Sequence, residues 1–257
     1  MLQPQRHSAV PTGSIDLTLD LADGGPLRVF AHQDDLEGQS FDGAVVHGAH
    51  TRYFVIDGRA EVDVIGVHFR PGGGATLLGL PAHELTDRHV GLEDLWGAYA
   101  RDLRTQLMEA STPREKFELL ERILLMRLRD ATLVHPAISF ALRGIRTAPD
   151  EVRIGTLQKA TGYSSRRFTT LFVRDVGVTP KLYSRIQRLR RVLEEVAQPG
   201  DVDWAAVANE HGYYDQSHLT RDFHEFTGCT PAGYRPVSAQ SALHMALRDP
   251  QRARARA

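Results

Sequence analysis

Ile15, Leu17, Leu19 and Leu21 alternate with Ser14, Asp16, Thr18 and Asp20. That period of two predicts a strand with one buried face. Asp23-Gly24-Gly25-Pro26 interrupts it as a turn, and Leu27, Val29 and Ala31 resume the alternation. Further short strands are predicted at Ala44–His47, Arg52–Ile56 and Glu61–Phe69, with Asp57-Gly58 as a hairpin turn between the last two. Many short strands separated by glycine turns imply an antiparallel β-barrel or sandwich-like domain, with its strands ending near residue 80.

The period then changes. Leu92, Leu95, Trp96, Tyr99, Leu103 and Leu107 fall at helical spacing. Thr112-Pro113-Arg114-Glu115 reads as an N-cap followed by proline at the first helical position. Phe117, Leu120, Ile123, Leu124 and Leu128 form the apolar stripe behind it. Such stripes bury against a sheet or against a second subunit, the intramolecular core being the commoner fate.

Beyond His135-Pro136 the chain repeats itself. Leu157, Gly162 and Tyr163 recur as Val207, Gly212 and Tyr213, an offset of 50. Phe168, Phe172, Gly177, Thr179-Pro180 and Tyr183 recur as Leu219, Phe223, Gly228, Thr230-Pro231 and Tyr234, an offset of 51. So many matched positions argue for one supersecondary unit used twice. In each copy a short helix ends at a glycine able to adopt the left-handed conformation, and an aromatic pins the turn. Ser164 or Asp215 is placed to cap the next helix. Phe168 and Phe172, or Leu219 and Phe223, lie four apart on its buried face. This is the grammar of a helix-turn-helix. Arg166, Arg167, Thr169 and Thr170 then face outward in the first copy, and Ser217, His218, Thr220 and Arg221 in the second. Arginine can read guanine through a bidentate contact, and threonine can bond a base edge or touch a thymine methyl. Between the copies, Leu182, Ile186, Leu189, Leu193 and Val196 predict one long linker helix over Pro180–Val196.

The expected fold class is therefore α+β. An N-terminal regulatory or ligand-sensing domain spans 1–130, with strands to about 80 and trailing helices over 92–130. An all-α domain of two helix-turn-helix units joined by a linker helix spans 131–236, and a disordered tail occupies 237–257.

Charge sharpens the reading. Between Glu151 and Arg191 ten cations stand against two anions, a net of +8 that leaves −9 for the rest of a chain of net charge −1. Such asymmetry suits a surface that meets a polyanion. Arg174, Lys181, Arg185, Arg188 and Arg191 are the candidate phosphate contacts, supplying affinity without sequence preference. No apolar run approaches the about 18 residues of a membrane span, and the first residues lack the apolar core of a secretory signal. A single cysteine, Cys229, excludes an internal disulfide framework. A cytoplasmic location is expected.

The segment Gly212-Tyr-Tyr-Asp-Gln-Ser-His-Leu-Thr-Arg-Asp-Phe223, with Gly228-Cys-Thr-Pro-Ala-Gly-Tyr-Arg235, resembles the signature of the AraC/XylS family of bacterial transcription regulators. Gly177-Val-Thr-Pro-Lys-Leu-Tyr183 to Arg190 matches it as well. The resemblance implies a DNA-binding regulator with Arg166, Thr169 and Thr170 base-facing in one unit and Ser217, His218 and Arg221 in the other. It implies double-stranded DNA as a partner, and it makes a small-molecule effector, RNA polymerase and a second copy of the chain candidate partners. No cofactor, membrane or catalytic role follows from it. One departure is Gln158, where the family has alanine, which the second copy keeps as Ala208. Another is His211, expected to be exposed. His68-Phe-Arg-Pro-Gly-Gly-Gly74 and Leu92-Glu-Asp-Leu-Trp96 resemble an N-terminal domain found on some such regulators.

Two further chemistries compete. His47, His50, His68, His83 and His89 raise a metal site, but they lack a His-x-His pair and a completing carboxylate; surface or capping roles are expected. His68 and Arg70, beside three glycines, form a candidate effector site through the arginine fork and adjacent amides. The alternative function, a DNA-repair or other enzyme fused to a helix-turn-helix module, needs an activated cysteine. Cys229 instead occupies the closing turn of the second copy, where Val178 stands in the first.

Overall fold

The computed structural model describes residues 6–22, 25–57, 63–129, 131, 133–198, 200–238 and 241–247. Nine strands occur among them: β1 (Arg6–Ala9), β2 (Asp16–Asp20), β3 (Leu27–Phe30), β4 (Gln39–Phe41), β5 (Ala44–His47), β6 (Phe54–Asp57), β7 (Val64–His68), β8 (His89–Gly91) and β9 (His244–Ala246). They form two sheets, in the orders β4-β3-β6-β1-β9 and β7-β2-β5-β8, and every pairing is antiparallel. The architecture is an open sandwich.

Leu17 and Leu19 of β2, Val46 of β5 and Ile65 of β7 bury one face of the four-stranded sheet against helices. These are α1 (Gly73–Leu78), α2 (Leu92–Trp96), α3 (Ala98–Glu109) and α4 (Pro113–Leu128). Gly97, at φ 61°, breaks the expected single helix into α2 and α3. Thr112 and Glu115 close a reciprocal capping box on α4, as Thr-Pro-Arg-Glu predicts. Of the α4 stripe, Leu120 and Ile123 are buried, whereas Phe117 and Leu128 face solvent, so the expected core stripe is only half used.

Three expectations are corrected. The Asp57-Gly58 hairpin does not form, because β6 pairs with β1 and β3 in one sheet while β7 pairs with β2 in the other; Gly58 itself lies outside the described residues. Arg6–Ala9, ahead of the first strand that the alternation predicts, is itself a strand. The region after Pro236 is not a disordered tail throughout, since His244–Ala246 pairs with β1 in the register His7↔Ala246, Ser8↔Met245 and Ala9↔His244. Residues 248–257 lie outside the described residues.

The C-terminal region contains α5 (Pro136–Thr147), α6 (Ile154–Ala160), α7 (Ser165–Val176), α8 (Pro180–Val196), α9 (Trp204–Glu210) and α10 (Gln216–Thr227). It holds two cores. Ile138, Ala141 and Ile145 of α5 pack with Leu157, Phe168, Phe172 and Tyr183. Ile186, Leu189, Val192 and Leu193 of α8 pack with Val207, Ala208, Tyr213, Leu219, Phe223 and Tyr234. The linker helix thus serves both cores. Val10 and Met245, from opposite ends of the chain, enter the second core only.

Candidate nucleic-acid interface

Each repeat folds as its local chemistry dictates. Gly162 and Gly212 close α6 and α9 with φ of 74° and 66°, values costly for residues with a Cβ. Ser164 then accepts from the Arg167 amide at 3.3 Å and Asp215 from the His218 amide at 2.7 Å, capping α7 and α10. Both helices end at left-handed glycines, Gly177 and Gly228. Phe168 and Phe172, and Leu219 and Phe223, are buried as expected.

The opposite face is open at its N-terminal end. Arg166, Arg167 and Thr170 are exposed on α7 and Thr169 is half-buried; Ser217 and Arg221 are exposed on α10 and His218 is half-buried. His218 lies edge-on to Tyr213, ring centroids 5.1 Å apart, so its ring is held at the surface. Sequence reasoning missed Tyr214, 93% exposed beside the α10 cap. The only signal was a second aromatic following the one that pins the turn.

The predicted phosphate contacts separate into two groups. Arg174 and Lys181 are exposed, Arg174 also pairing with buried Asp175 at 2.7 Å. The linker arginines look inward instead, which corrects their expected free presentation. Arg185 holds Asp222 at 2.7 Å and Glu225 at 2.6 Å. Arg188 lies over the Tyr213 ring, 5.1 Å from its centroid, and donates to the Gly212 carbonyl at 3.4 Å. Arg191 pairs with Asp150 at 3.1 Å and donates to the Thr147 carbonyl at 2.7 Å. Their carboxylate partners, about 40 residues distant in sequence, become neighbours only on folding. The arginines of α8 therefore brace the second unit and the end of α5.

The two departures also find roles. Gln158 donates its side-chain amide to the Tyr163 carbonyl, closing the turn where Ala208 offers only its backbone oxygen to the Tyr213 amide. His211 is 8% exposed, not exposed as expected, because its Nε2 meets the Glu195 carboxylate of α8 at 2.7 Å.

In the N-terminal domain, His68 is exposed and bonded through Nδ1 to Asp16 at 3.1 Å, a contact that raises its pKa. It lines an apolar groove of about 470 Å³ with Val67, Leu77, Phe117, Leu120 and Leu125. Arg70 is exposed and takes no part in that lining, so the two members of the candidate effector site are not brought together there. His47 and His50 are buried and His89 half-buried, contrary to the expected surface roles. Their rings cluster between the sheets: His47 Nδ1 meets His89 Nδ1 at 2.8 Å, His50 stacks on His89 at 4.4 Å and His47 stacks on Phe54 at 5.2 Å. Burial pushes their pKa values down, His50 to about 4, His47 to about 3 and His89 to about 2, so the cluster is neutral at pH 7. Among the described residues no group of three or more histidine, cysteine, aspartate or glutamate side chains is arranged to hold a metal ion. Burial also pushes the Cys229 thiol up, away from the activated thiolate that the repair-enzyme alternative requires. No helix among the described residues is long and apolar enough to cross a membrane.

Two capped helices on matched turns, joined by one shared helix, define a tandem helix-turn-helix DNA-binding module. Residues 157–236 match the family described as helix-turn-helix domain, and residues 2–91 match a domain of unknown function, DUF6597. The C-terminal region is a helix-turn-helix domain of the AraC type, the arrangement of a DNA-binding transcription regulator. No curated protein sequence matches it. Among solved structures, ToxT from Vibrio cholerae O395 is similar at 9% identity and a TM-score of 0.44, over 90% of this chain and 93% of that one. A second structure of that protein, bound to (E)-4-(8-methylnaphthalen-1-yl)but-3-enoic acid, gives 10% identity and a TM-score of 0.47, over 90% and 94%.

Proposed function

We propose that α7 and α10 are recognition helices that read successive major-groove segments on one face of double-stranded DNA. The observation that carries this reading is the matched pair of exposed N-terminal faces, Arg166, Arg167, Thr169 and Thr170 on one helix and Ser217, His218 and Arg221 on the other. Each is set by an N-cap in the same place. Successive grooves lie about 34 Å apart. The 17-residue α8, about 25 Å long at 1.5 Å per residue, is a rigid spacer of that scale. Arg174 and Lys181 supply phosphate contacts.

Residues 131–236 are the DNA-binding domain and 1–130 its regulator, acting in the cytoplasm where the DNA is. The effector is a small apolar molecule held in the groove between β7 and α4, whose walls are mainly leucine, valine and phenylalanine. Binding there shifts how the units sit on DNA through differential affinity for two arrangements. The exposed Phe117 and Leu128 of α4 favour a second copy of the chain as another partner, with RNA polymerase engaged once DNA is bound. Selecting bound duplexes from a random pool tests the core of the reading. The expected product is two conserved base blocks about 10–10.5 base pairs apart; a single block, or none, contradicts it.

A further inference from the structure

The two recognition helices end at equivalent positions of the repeat, Gly177 and Gly228. Both ends meet one segment of the N-terminal domain. A Cβ built on Gly177 would lie 2.9 Å from the Ala49 Cβ, 3.2 Å from the Ala82 carbonyl oxygen and 3.3 Å from the Thr86 hydroxyl. A Cβ built on Gly228 would collide with the Tyr53 ring. Thr86 donates its hydroxyl to the Gly177 carbonyl at 2.6 Å, filling an acceptor that the helix end leaves open. Ala49 and Tyr53 are four residues apart, so one short stretch of chain touches both units where their backbones are bare.

That stretch is stiff. Gly48 donates to the Arg88 carbonyl at 2.9 Å and Asp87 to the Ala49 carbonyl at 3.3 Å. Thr51 gives its amide to Asp87 Oδ1 at 2.6 Å and its hydroxyl to Oδ2 at 2.8 Å. Asp87 is the one non-glycine among the described residues with positive φ, 54°, a conformation that persists where the surroundings impose it. Behind the stretch, Phe54 and His50 anchor it in the packed ring cluster, centroids 4.5 Å apart. Residues 48–53 and 82–88 form one platform.

We propose that this platform is a positioning element: it grips the C-terminal ends of both recognition helices and fixes their mutual orientation and spacing. Tyr53 is the positioning residue for α10, and Thr86 with Ala49 for α7. The proposal rests on the reading of α7 and α10 as a tandem reader of DNA. Its physical content is that α8, shared by both cores, holds each unit along one side, and contact with a third rigid body at the two helix ends adds a second restraint on their mutual rotation. Gripping the C-terminal ends also leaves Arg166 and Ser217, near the N-terminal ends, exposed.

The test compares the full chain with Tyr53→Ala and Thr86→Val. The duplexes carry both selected half-sites at their preferred spacing, the same half-sites with one base pair inserted or removed, or each half-site alone. Simultaneous engagement contributes about 10²-fold or more in affinity where geometry allows it. One base pair rotates the second half-site by about 34°, from 10–10.5 pairs per turn, so the wild type is expected to lose about tenfold or more. Both variants are expected to bind single half-sites like wild type and to lose about threefold or less on altered spacing. Folded variants, with wild-type melting temperature, that retain the full spacing penalty overturn the platform's role. Tyr53→Phe, which keeps the ring against Gly228, is expected to restore the wild-type penalty; failure to do so also counts against the proposal. A wild type bound by both half-sites yet indifferent to spacing overturns the platform, whereas a wild type with only one half-site overturns the tandem reading beneath it.

Discussion

The two helix-turn-helix units share a sequence pattern and differ in what holds them and in what they present. The first draws most of its core from α5, α6 and α7, with Ala49 of the N-terminal domain added, and α7 carries Arg166, Arg167 and Arg174 against Asp175, a net of +2. The second borrows Val10 and Met245 from the chain's two ends, and α10 carries Arg221 against Asp222 and Glu225, a net of −1. Both anions of α10 are held by Arg185 of the shared helix. A duplicated fold therefore does not imply duplicated energetics. The first unit presents the more cationic helix and the second the more polar one, and each leans on a different part of the chain, the first on the 48–53 and 82–88 segments and the second on the two chain ends.

The largest break in this comparison comes from Arg185→Ala. Asp222 is almost fully buried, and losing the partner of a buried charge costs about 3–5 kcal/mol. Chemical denaturation followed by amide exchange is expected to show α9 and α10 losing protection before α6 and α7. Acidification comes next. The His50 pKa is lowered by burial to about 4, so below pH 6.5 the unfolded chain binds a proton that the folded chain refuses. Stability is therefore present above pH 6.5 and falls as the pH drops towards 4, by roughly 3 kcal/mol for this residue at 1.36 kcal/mol per unit. His244 of β9, also pushed down to about 4 by burial, adds to the loss and loosens the brace on the second unit. Thermal melts from pH 8 to 4 check this, and His50→Gln is expected to flatten the slope.

Met245→Ala is expected to cost about 2–3 kcal/mol as a truncation in a packed core. The loss should concentrate in the second unit, as read by the same exchange experiment. The smallest effect is assigned to Lys181→Ala. An exposed lysine at the start of α8 contributes a phosphate contact, so its loss should weaken binding to all sequences alike and reduce the salt slope by about 0.9. A slope that does not change removes Lys181 from the interface.

How far each part was legible in the sequence follows the range of the forces that set it. The caps at Thr112, Ser164 and Asp215, the turn glycines Gly162 and Gly212, and the bounds of α8 depend on residues within one helical turn. They could be read directly. Strand partners could not: alternation in Phe54–Asp57 and Val64–His68 specifies a buried face but not a sheet, and the expected hairpin failed for that reason. β1 and β9 escaped notice because they are short, histidine-containing and at opposite ends of the chain. The basic run on α8 looked like a phosphate-binding face because its anions, Asp150, Asp222 and Glu225, come from other elements. The exposed faces of α7 and α10 were anticipated because burying Phe168 and Phe172, or Leu219 and Phe223, turns Arg166, Arg167 and Thr170, or Ser217 and Arg221, to the other side of the helix, while Leu171 and Asp222 between the anchors are buried with them.

The central claim is that two separate side-chain sets read two separate blocks of DNA. It is tested most directly by measuring affinity for the selected duplex with each base pair changed in turn, for wild type, Arg166→Ala and Arg221→Ala. Each variant is expected to lose about 1–3 kcal/mol of binding. Arg166→Ala should become insensitive to base changes in one block only and Arg221→Ala in the other, the blocks lying about one helical turn apart. Sensitivity lost at the same base pairs in both variants, or at none, contradicts the account.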